Sequence, residues 1–204
     1  MMEKLDYYRY IIGIIEIGDR ATSAQELNRI FDKSTNSKAK TALEEWVEKV
    51  RLRRQAWGEF INSFTRQNIA ELSEHIFEGH FGRYGNFLST KGIHSVSDLR
   101  NGAIQLVENS KRPPNVGIDE IFEAKVQKKY SRNQWIDKLD NNGYSTFFPE
   151  NWTKSRIMEE VAFAWKNMEL VQGSSVLFEG ISTNGIKIKL IIRNGELKTV
   201  YPTF

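Results

Sequence analysis

The sequence contains no cysteine, and this absence excludes disulfide bonds, thiolate metal sites and a cysteine nucleophile together. Histidine is also scarce, because His75, His80 and His94 are all that the chain has. A metal site built from histidines would need nearly all of them. We therefore expect neither a metal nor another cofactor.

Long hydrophobic runs are missing as well. The longest one extends from Tyr10 to Ile15, far short of the roughly 20 residues that cross a bilayer. The N-terminus lacks the basic region and the small-residue cleavage site of a signal peptide. The sequence thus predicts a soluble chain without a membrane span, and it leaves the compartment unknown.

A large excess of charge is the third absence. The formal net charge is +3 over 204 residues. Residues 1–74 carry equal numbers of acidic and basic side chains, so the whole excess lies in residues 75–204. Such a modest basic bias suits a polyanionic ligand but does not identify one. Hydrophobic residues make up 40% of the chain, which is enough for a packed core.

Helical patterns occupy the first third of the chain. Ser23 to Glu26 has capping-box spacing and is followed by apolar residues at helical intervals. Lys33 to Lys38 is a polar break. From Leu43 to Phe64, apolar residues recur with a period of about 3.6. We expect a long amphipathic helix there, with Gly58 as the candidate for an interruption.

The pattern then changes. The glycine-rich stretch 79–92 and residues 100–118 are expected to form loops. Residues 121–130 alternate as a strand does, whereas residues 153–167 have the period of an amphipathic helix.

Strand-like segments close the sequence. They span residues 175–182, 186–193 and 197–201, and an Asn-Gly pair lies in each connection between them. Asn-Gly favours two-residue hairpin turns. The fold class predicted is α+β: a helical N-terminal segment, residues 1–69, precedes a domain of antiparallel sheets with flanking helices, residues 70–204.

Two of the histidines are candidates for catalysis. His75 lies where a helix gives way to glycine, and His94 follows Gly92-Ile93. Metal-free RNA cleavage needs one group that removes the proton of the ribose 2′-OH and another that protonates the departing 5′-oxygen. Histidine suits both tasks because its ordinary pKa is about 6.5. By themselves, however, two such histidines are more often surface groups or core imidazoles.

Four sequence blocks change that balance. Glu74 to Phe81, followed by Gly92 to Ser95, resembles the two-histidine signature of the EndoU nucleases. Ser145-Thr146-Phe147-Phe148-Pro149 with Trp152 is similar to a hallmark of the bacterial members, and Asn194 to Pro202 resembles the terminal strand that carries the family's tyrosine. The order of the four blocks is far more specific than any one of them, and the resemblance covers about residues 70–204.

The resemblance implies roles for individual residues. His94 would be the base that activates the 2′-OH, and His75 the acid. Tyr201 would orient the substrate or stack on a base, and Thr146 would bond the phosphate or a pyrimidine edge. Ser145 and Lys91 complete the expected substrate-binding set. Without the resemblance, Tyr201 would be read as an edge-strand side chain and Thr146 as a hydroxyl with a local hydrogen bond.

One feature departs from the family. Many EndoU enzymes place a lysine a few residues before the Ser/Thr block, but residues 141–144 contain none. Such a lysine neutralises charge that develops on the phosphate. Lys91, Lys125 and Lys129 are the alternatives that the sequence offers.

The resemblance implies an endoribonuclease of the RNA lyase type that leaves 2′,3′-cyclic phosphate ends, with a preference for uridylates. It also implies a bacterial toxin that acts on tRNA or other cellular RNA, is secreted or delivered into a target cell's cytoplasm, and has a cognate immunity protein. One alternative is an RNA-binding module that keeps the fold without turnover. Another is that the N-terminal helices are a platform for a partner protein.

Overall fold

The structure, a computed structural model, describes residues 36–97, 99–112 and 121–204. Three α-helices lie within these ranges: α1 (Asn36–Ser63), α2 (Arg66–Ser73) and α3 (Lys154–Lys166). The helix predicted around residues 23–31 lies outside the described residues. None of the described helices is both long and apolar enough to cross a membrane.

Ten strands accompany the helices in the described ranges. They are β1 (His80–Tyr84), β2 (Phe87–Lys91), β3 (Ile104–Leu106), β4 (Phe122–Ser131), β5 (Gln134–Asp137), β6 (Tyr144–Phe147), β7 (Glu169–Leu170), β8 (Leu177–Ile181), β9 (Lys187–Arg193) and β10 (Glu196–Thr203). They form a β1-β2 hairpin, a β3-β4-β5 sheet with β6 on β4, and a β10-β9-β8-β7 sheet. All of these pairings are antiparallel, so the α+β prediction is confirmed.

Helix α1 differs from its prediction in two ways. It begins at Asn36, inside the expected polar break, and it continues through Gly58 without interruption. A Cβ at Gly58 would meet nothing within 4 Å, so the glycine is not there for close packing. Glycine costs a helix only about 1 kcal/mol, and burial of Ala56 and Phe60 offsets this locally.

The main core joins α1 to α3 and to the β7–β10 sheet. Phe60 contacts Trp165 edge-on, with ring centroids 5.6 Å apart. Arg53, buried in α1, donates to Glu159 and Glu160 of α3 at 3.0 and 3.5 Å. Core side chains therefore lie on both sides of residue 69, the expected domain boundary, and that boundary stays a prediction.

A smaller second core lies under β3, β4 and β6. It contains Ile93, Ile104, Phe122, Ala124, Val126 and Phe147. Residues 122–131 form the strand that alternation predicted. The rings of Phe122 and Phe147, on neighbouring strands, stack at 4.8 Å.

The expectation of loops at residues 79–92 is wrong. This stretch is the β1-β2 hairpin, closed by a two-residue turn at Gly85-Asn86 with Gly85 at φ 58°. Gly-Asn is itself a hairpin signal, because its first residue adopts positive φ without strain. Counting glycines as loop markers hid the alternation on either side of the turn.

The C-terminal predictions are confirmed. Thr153 caps the N-terminus of α3 by accepting a hydrogen bond from the Arg156 amide. Strands β8, β9 and β10 follow in order as an antiparallel meander. A β-bulge interrupts the β9–β10 register between Leu197 and Thr199, and this irregularity bears on the site.

Candidate active site

His75 lies in a single turn of π-helix, Glu74–Glu78, that continues from α2. The Gly79 amide closes this turn on the Glu74 carbonyl at 2.7 Å. Such wide turns are rare and occur frequently at functional sites. His75 therefore lies at a helical end that gives way to Gly79, as the sequence predicted, but the last turn is of the π type.

His94 is held against the His75 turn by main-chain contacts. The Ile93 amide donates to the His75 carbonyl at 2.8 Å, and the His94 amide donates to the Ile76 carbonyl at 2.7 Å. Gly92 has φ 77°, and a Cβ there would overlap the His75 carbonyl oxygen. Ile93 also has positive φ, 67°, which is a strained conformation for a β-branched residue.

These contacts bring the two imidazoles together, with ring centroids 5.7 Å apart. His94 Nδ1 lies 2.8 Å from the Thr146 carbonyl oxygen. Because a carbonyl can only accept, Nδ1 carries the hydrogen and the neutral ring has its lone pair on Nε2. His94 is thus arranged as a proton acceptor at Nε2.

Thr199 is a partner of His75 that the sequence analysis missed. Its Oγ1 lies 2.5 Å from His75 Nε2. Thr199 stands two residues before Tyr201 on β10, and alternate residues of a strand share a face. The predicted position of Tyr201 could therefore have revealed Thr199.

The β-bulge explains why Thr199 and Tyr201 face the histidines. Leu197 and Val200 are both buried in the main core although they are three positions apart, which regular alternation does not allow. The extra residue, Lys198, shifts the alternation by one position and turns Thr199 and Tyr201 outward. The Tyr201 ring then stacks on His94 at 5.7 Å, with 26° between the ring planes.

Lys138 is the second residue that the sequence analysis missed. It is buried, and its Nζ donates to Ser145 Oγ at 2.9 Å. Ser145 Oγ in turn donates to the Gly92 carbonyl at 3.1 Å, so the lysine is joined to the turn before His94. Burial lowers the pKa of the Lys138 ammonium, with the nearby Asp140 acting in the opposite direction.

A left-handed turn separates Lys138 from the Ser/Thr block. Asn141, Asn142 and Gly143 have φ of 51°, 53° and 86° in succession. This turn folds the chain back, so a lysine seven positions before Ser145 lies beside it. Asn-Asn-Gly is a composition that favours positive φ, and this was the available signal for a longer excursion.

The other lysines considered from the sequence have different surroundings. Lys91 pairs with Asp140 at 3.5 Å and lies over the Tyr84 ring. Lys125 is exposed beside Tyr144, and Lys129 is exposed over Trp135.

Thr146 contributes its main-chain carbonyl to the site. Its side chain alternates with Ser145 on β6 and stands opposite Glu123 of β4, on the other face from the Lys138–Ser145 contact. The hydroxyl role expected for Thr146 stays a prediction. Ser145 is buried, and its hydroxyl links Lys138 to the Gly92 carbonyl.

Burial and neighbouring basic side chains lower the pKa of both imidazoles. Burial, together with His80 and Lys138, lowers the pKa of His75 to about 4. Burial, Lys138 and His75 lower the pKa of His94 well below its ordinary value. Burial also raises the pKa of the Tyr201 phenol, which therefore stays protonated at neutral pH. In the free protein both rings are neutral at pH 7.

His80 is near the pair, its ring 5.3 Å from that of His75. In the described part of the chain, however, no three side chains of His, Asp or Glu come together as a set of metal ligands. The site is instead a pair of neutral imidazoles with a buried ammonium, a phenol and a threonine hydroxyl around it.

Similarity to known proteins covers most of the chain. The model of the bacterial EndoU nuclease family matches residues 70–204. A protein of Bacillus cereus named Toxin is 27% identical over 131 residues, which are 63% of this chain and 22% of the toxin. The chain thus spans less than a quarter of the length of that relative. No solved structure matches it significantly. Because the family model covers well over half of the sequence, the chain belongs to the bacterial EndoU nuclease family.

Proposed function

We propose that the chain is an endoribonuclease that cleaves RNA by transesterification. The ribose 2′-oxygen attacks the adjacent phosphorus, the bond from phosphorus to the 5′-oxygen breaks, and the products carry a 2′,3′-cyclic phosphate and a 5′-hydroxyl. The observation that carries this proposal is the hydrogen bond from His94 Nδ1 to the Thr146 carbonyl, in a ring whose centroid lies 5.7 Å from that of His75. This hydrogen bond leaves the lone pair of the neutral His94 ring on Nε2, where it can act as a base.

Each group then has a task. His94 Nε2 takes the proton of the 2′-OH, and His75 gives a proton to the 5′-oxygen. Lys138 stabilises the extra negative charge that the phosphorus centre develops, and it acts over a short range in a buried site. Tyr201, stacked on His94, offers both a ring face and a phenolic donor.

The lowered pKa values set a condition on this mechanism. His75 has a pKa of about 4 in the free protein, so it lacks the proton that an acid must give. A bound phosphodiester places negative charge beside the ring, and an opposite charge raises the pKa of an imidazole. Binding of the substrate therefore raises the pKa of His75, so that its ring gains the proton that it later gives to the 5′-oxygen. We expect kcat/KM, which reflects the free protein, to be highest at acidic pH, and kcat to be highest nearer neutrality.

The biological setting is also a proposal. The relative from Bacillus cereus is named Toxin, which supports a toxin that acts on tRNA or other cellular RNA after delivery into a target cell. A cognate immunity protein and a preference for uridylates accompany that proposal. Both rest on the family resemblance rather than on a contact in this chain.

The lack of a lysine in residues 141–144 would favour the non-catalytic alternative, because the family's lysine neutralises charge that develops on the phosphate. Lys138 occupies a buried position next to the pair, so that argument no longer favours a binding module. The idea of a partner platform in the N-terminal helices stays a prediction.

The test is cleavage of total tRNA and of a uridine-containing oligonucleotide in EDTA. The wild type is compared with His75→Ala and His94→Ala, and the oligonucleotide with a copy that has one 2′-deoxyuridine at the cut. Fragments with 2′,3′-cyclic phosphate are expected from the wild type on the all-ribose substrate alone. Cleavage of the deoxy copy, or cleavage by both variants, would refute the proposal. RNA left intact even with manganese supplied would favour the binding module.

A further inference from the structure

The β1-β2 hairpin carries an unusual surface next to the candidate site. Residues 80–91 contain no acidic side chain but include Arg83 and Lys91, besides His80. At the tip, Tyr84 is 52% exposed and Phe87 is 71% exposed. Exposed aromatic rings in a basic setting have no role in the core of this domain.

The strand register places the relevant side chains on one face. His80 stands opposite Lys91, and Tyr84 stands opposite Phe87. Between the two pairs, Gly82 leaves room for the Lys91 stem, because a Cβ there would lie 3.0 Å from Lys91 Cγ. The Lys91 ammonium then reaches the Tyr84 ring, 5.4 Å from its centroid. We call His80, Tyr84, Phe87 and Lys91 the hairpin face.

The hairpin face is continuous with the catalytic pair. The His80 ring lies 5.3 Å from the His75 ring. Tyr84 is four residues further along β1, which is about 13 Å of strand. The surface thus leads from the candidate proton donor, past a lysine, to two exposed rings.

The opposite face of the hairpin holds it to the domain, together with Ser89, which is buried on the same side as Lys91 and accepts a hydrogen bond from the Leu139 amide at 3.0 Å. Phe81 packs edge-on against Tyr130 at 5.4 Å, and Thr90 Oγ1 donates to the Ile136 carbonyl at 2.6 Å. The tip rings take no part in this attachment. They are therefore available to a ligand that extends from the site.

We propose that the hairpin face binds the single-stranded RNA that flanks the scissile phosphate. An unpaired base stacks on Tyr84 and Phe87, and a phosphate of the same strand replaces Asp140 as the partner of the Lys91 ammonium. This inference rests on the proposed ribonuclease function and adds a subsite to it. Unpaired bases can stack on aromatic side chains, whereas the bases of a duplex are enclosed. The site is thus built for substrates that are several nucleotides long and unpaired on one side of the cut.

Cleavage of two substrates tests the subsite. The full chain is assayed on a uridine-containing dinucleotide and on an eight-nucleotide single strand with the same cut. In Tyr84→Ala/Phe87→Ala, the ratio of kcat/KM for the longer substrate to that for the dinucleotide should fall about tenfold or more. Leu170→Ala is the control, because Leu170 is a large apolar side chain that is 52% exposed, as Tyr84 is, but lies on β7 in another sheet. A ratio unchanged from the wild type in the double variant would overturn the proposal.

Binding separates this proposal from the ribonuclease function itself. The affinity for an eight-nucleotide strand that is 2′-deoxy at the cut is measured by fluorescence anisotropy, which needs no turnover. The double variant should lose about tenfold in affinity, and Lys91→Met should reduce the slope of log affinity against log salt by about 0.7. Equal affinities of wild type and double variant, with superimposable circular dichroism melts, would overturn the hairpin face even if cleavage is confirmed. If the double variant lost affinity but the wild type cleaved no RNA, the proposal of RNA binding by the hairpin face would stand and the proposed ribonuclease function would be refuted.

Discussion

The two cores of the molecule contribute different parts of the candidate site. The main core, under α1, α3 and β7–β10, supports His75 with Thr199. The smaller core, under β3, β4 and β6, supports His94 with the Thr146 carbonyl, and Lys138 with Ser145. The proposed acid thus belongs to one half and the proposed base to the other. The geometry of the pair depends on how the halves are joined, more than on either half alone.

The joint itself is small. It consists of two amide hydrogen bonds, from Ile93 and His94 to the His75 turn, and of the close approach that Gly92 permits. Tyr201 extends from the sheet of the main core to the ring of His94. Changes at this joint should therefore affect activity more than changes within either core.

Gly92→Ala should have the largest effect. The new Cβ overlaps the His75 carbonyl, and the φ of 77° is unfavourable for alanine as well. We expect activity to fall about 1,000-fold or more, since a displacement of about 1 Å can already cost 100-fold, and the free energy of unfolding to fall by about 2–4 kcal/mol. Initial rates on an RNA oligonucleotide and urea unfolding measure the two effects.

Gly173→Ala is the matched control for that variant. Gly173 has a similar φ of 82°, but a Cβ there would meet nothing within 4 Å. The Gly173→Ala variant should lose about 1 kcal/mol in its free energy of unfolding, because of the backbone conformation alone, and should keep its activity. If Gly92→Ala kept its activity as Gly173→Ala does, the close approach of Gly92 to the His75 carbonyl would not be needed to position the two histidines.

Lys138→Met should rank second, because it changes the half that holds the base while leaving the joint in place. Loss of the buried ammonium should lower kcat about 100-fold or more. Lys138 is one cause of the lowered pKa values of His75 and His94, so both pKa values should rise in the variant. NMR titration of the imidazole nitrogens measures this shift. Lys129→Met, at an exposed lysine, is the control, and equal kcat values for the two variants would remove Lys138 from the chemistry.

The elements of the main-core half that have strong local sequence signals were the ones predicted best. Helix α3 and the β8–β10 meander have strong local signals, namely the Thr153 cap and the Asn-Gly turns, and both formed as expected. The order of the four sequence blocks likewise predicted that His75, His94 and Tyr201 would meet. Local periodicity and motif order are readable because neither depends on how distant segments pack.

The residues that were missed depend on irregular backbone. Lys138 reaches Ser145 through three consecutive left-handed residues, and Thr199 faces His75 through a β-bulge. Spacing along the sequence misleads at both places, since a turn or a bulge changes which residues become neighbours. The same holds for the π-turn at His75, where a hydrogen-bonding pattern that no periodicity reports sets the direction of the ring.

The pH dependence of stability gives a smaller effect that reports on the main-core half. An unfolded histidine has a pKa near 6.5, whereas His75 has about 4 in the folded chain. The unfolded chain therefore binds more protons between these values, so stability falls as the pH falls from 6.5 towards 4. At pH 5 the His75 share of this loss is about 2 kcal/mol. Urea unfolding of the wild type and His75→Gln from pH 4.5 to 7 should show a shallower dependence in the variant. An equally steep dependence would mean that His75 is not held neutral by burial.

Thr199→Val should have the smallest effect, because it removes a partner of His75 without touching the joint or the base. The hydroxyl next to His75 Nε2 limits the rotation of the ring, and loss of such a supporting hydrogen bond costs about tenfold in activity. The β9–β10 pairing should survive, since valine suits a strand as well as threonine does. Thr203→Val is the control, at a position of β10 with the same alternation beyond Tyr201. If the two valine variants cleaved RNA equally fast, His75 would be oriented by its π-turn alone. A loss confined to Thr199→Val would mean that the main-core sheet positions the acid, as the Thr146 carbonyl positions the base from the other half.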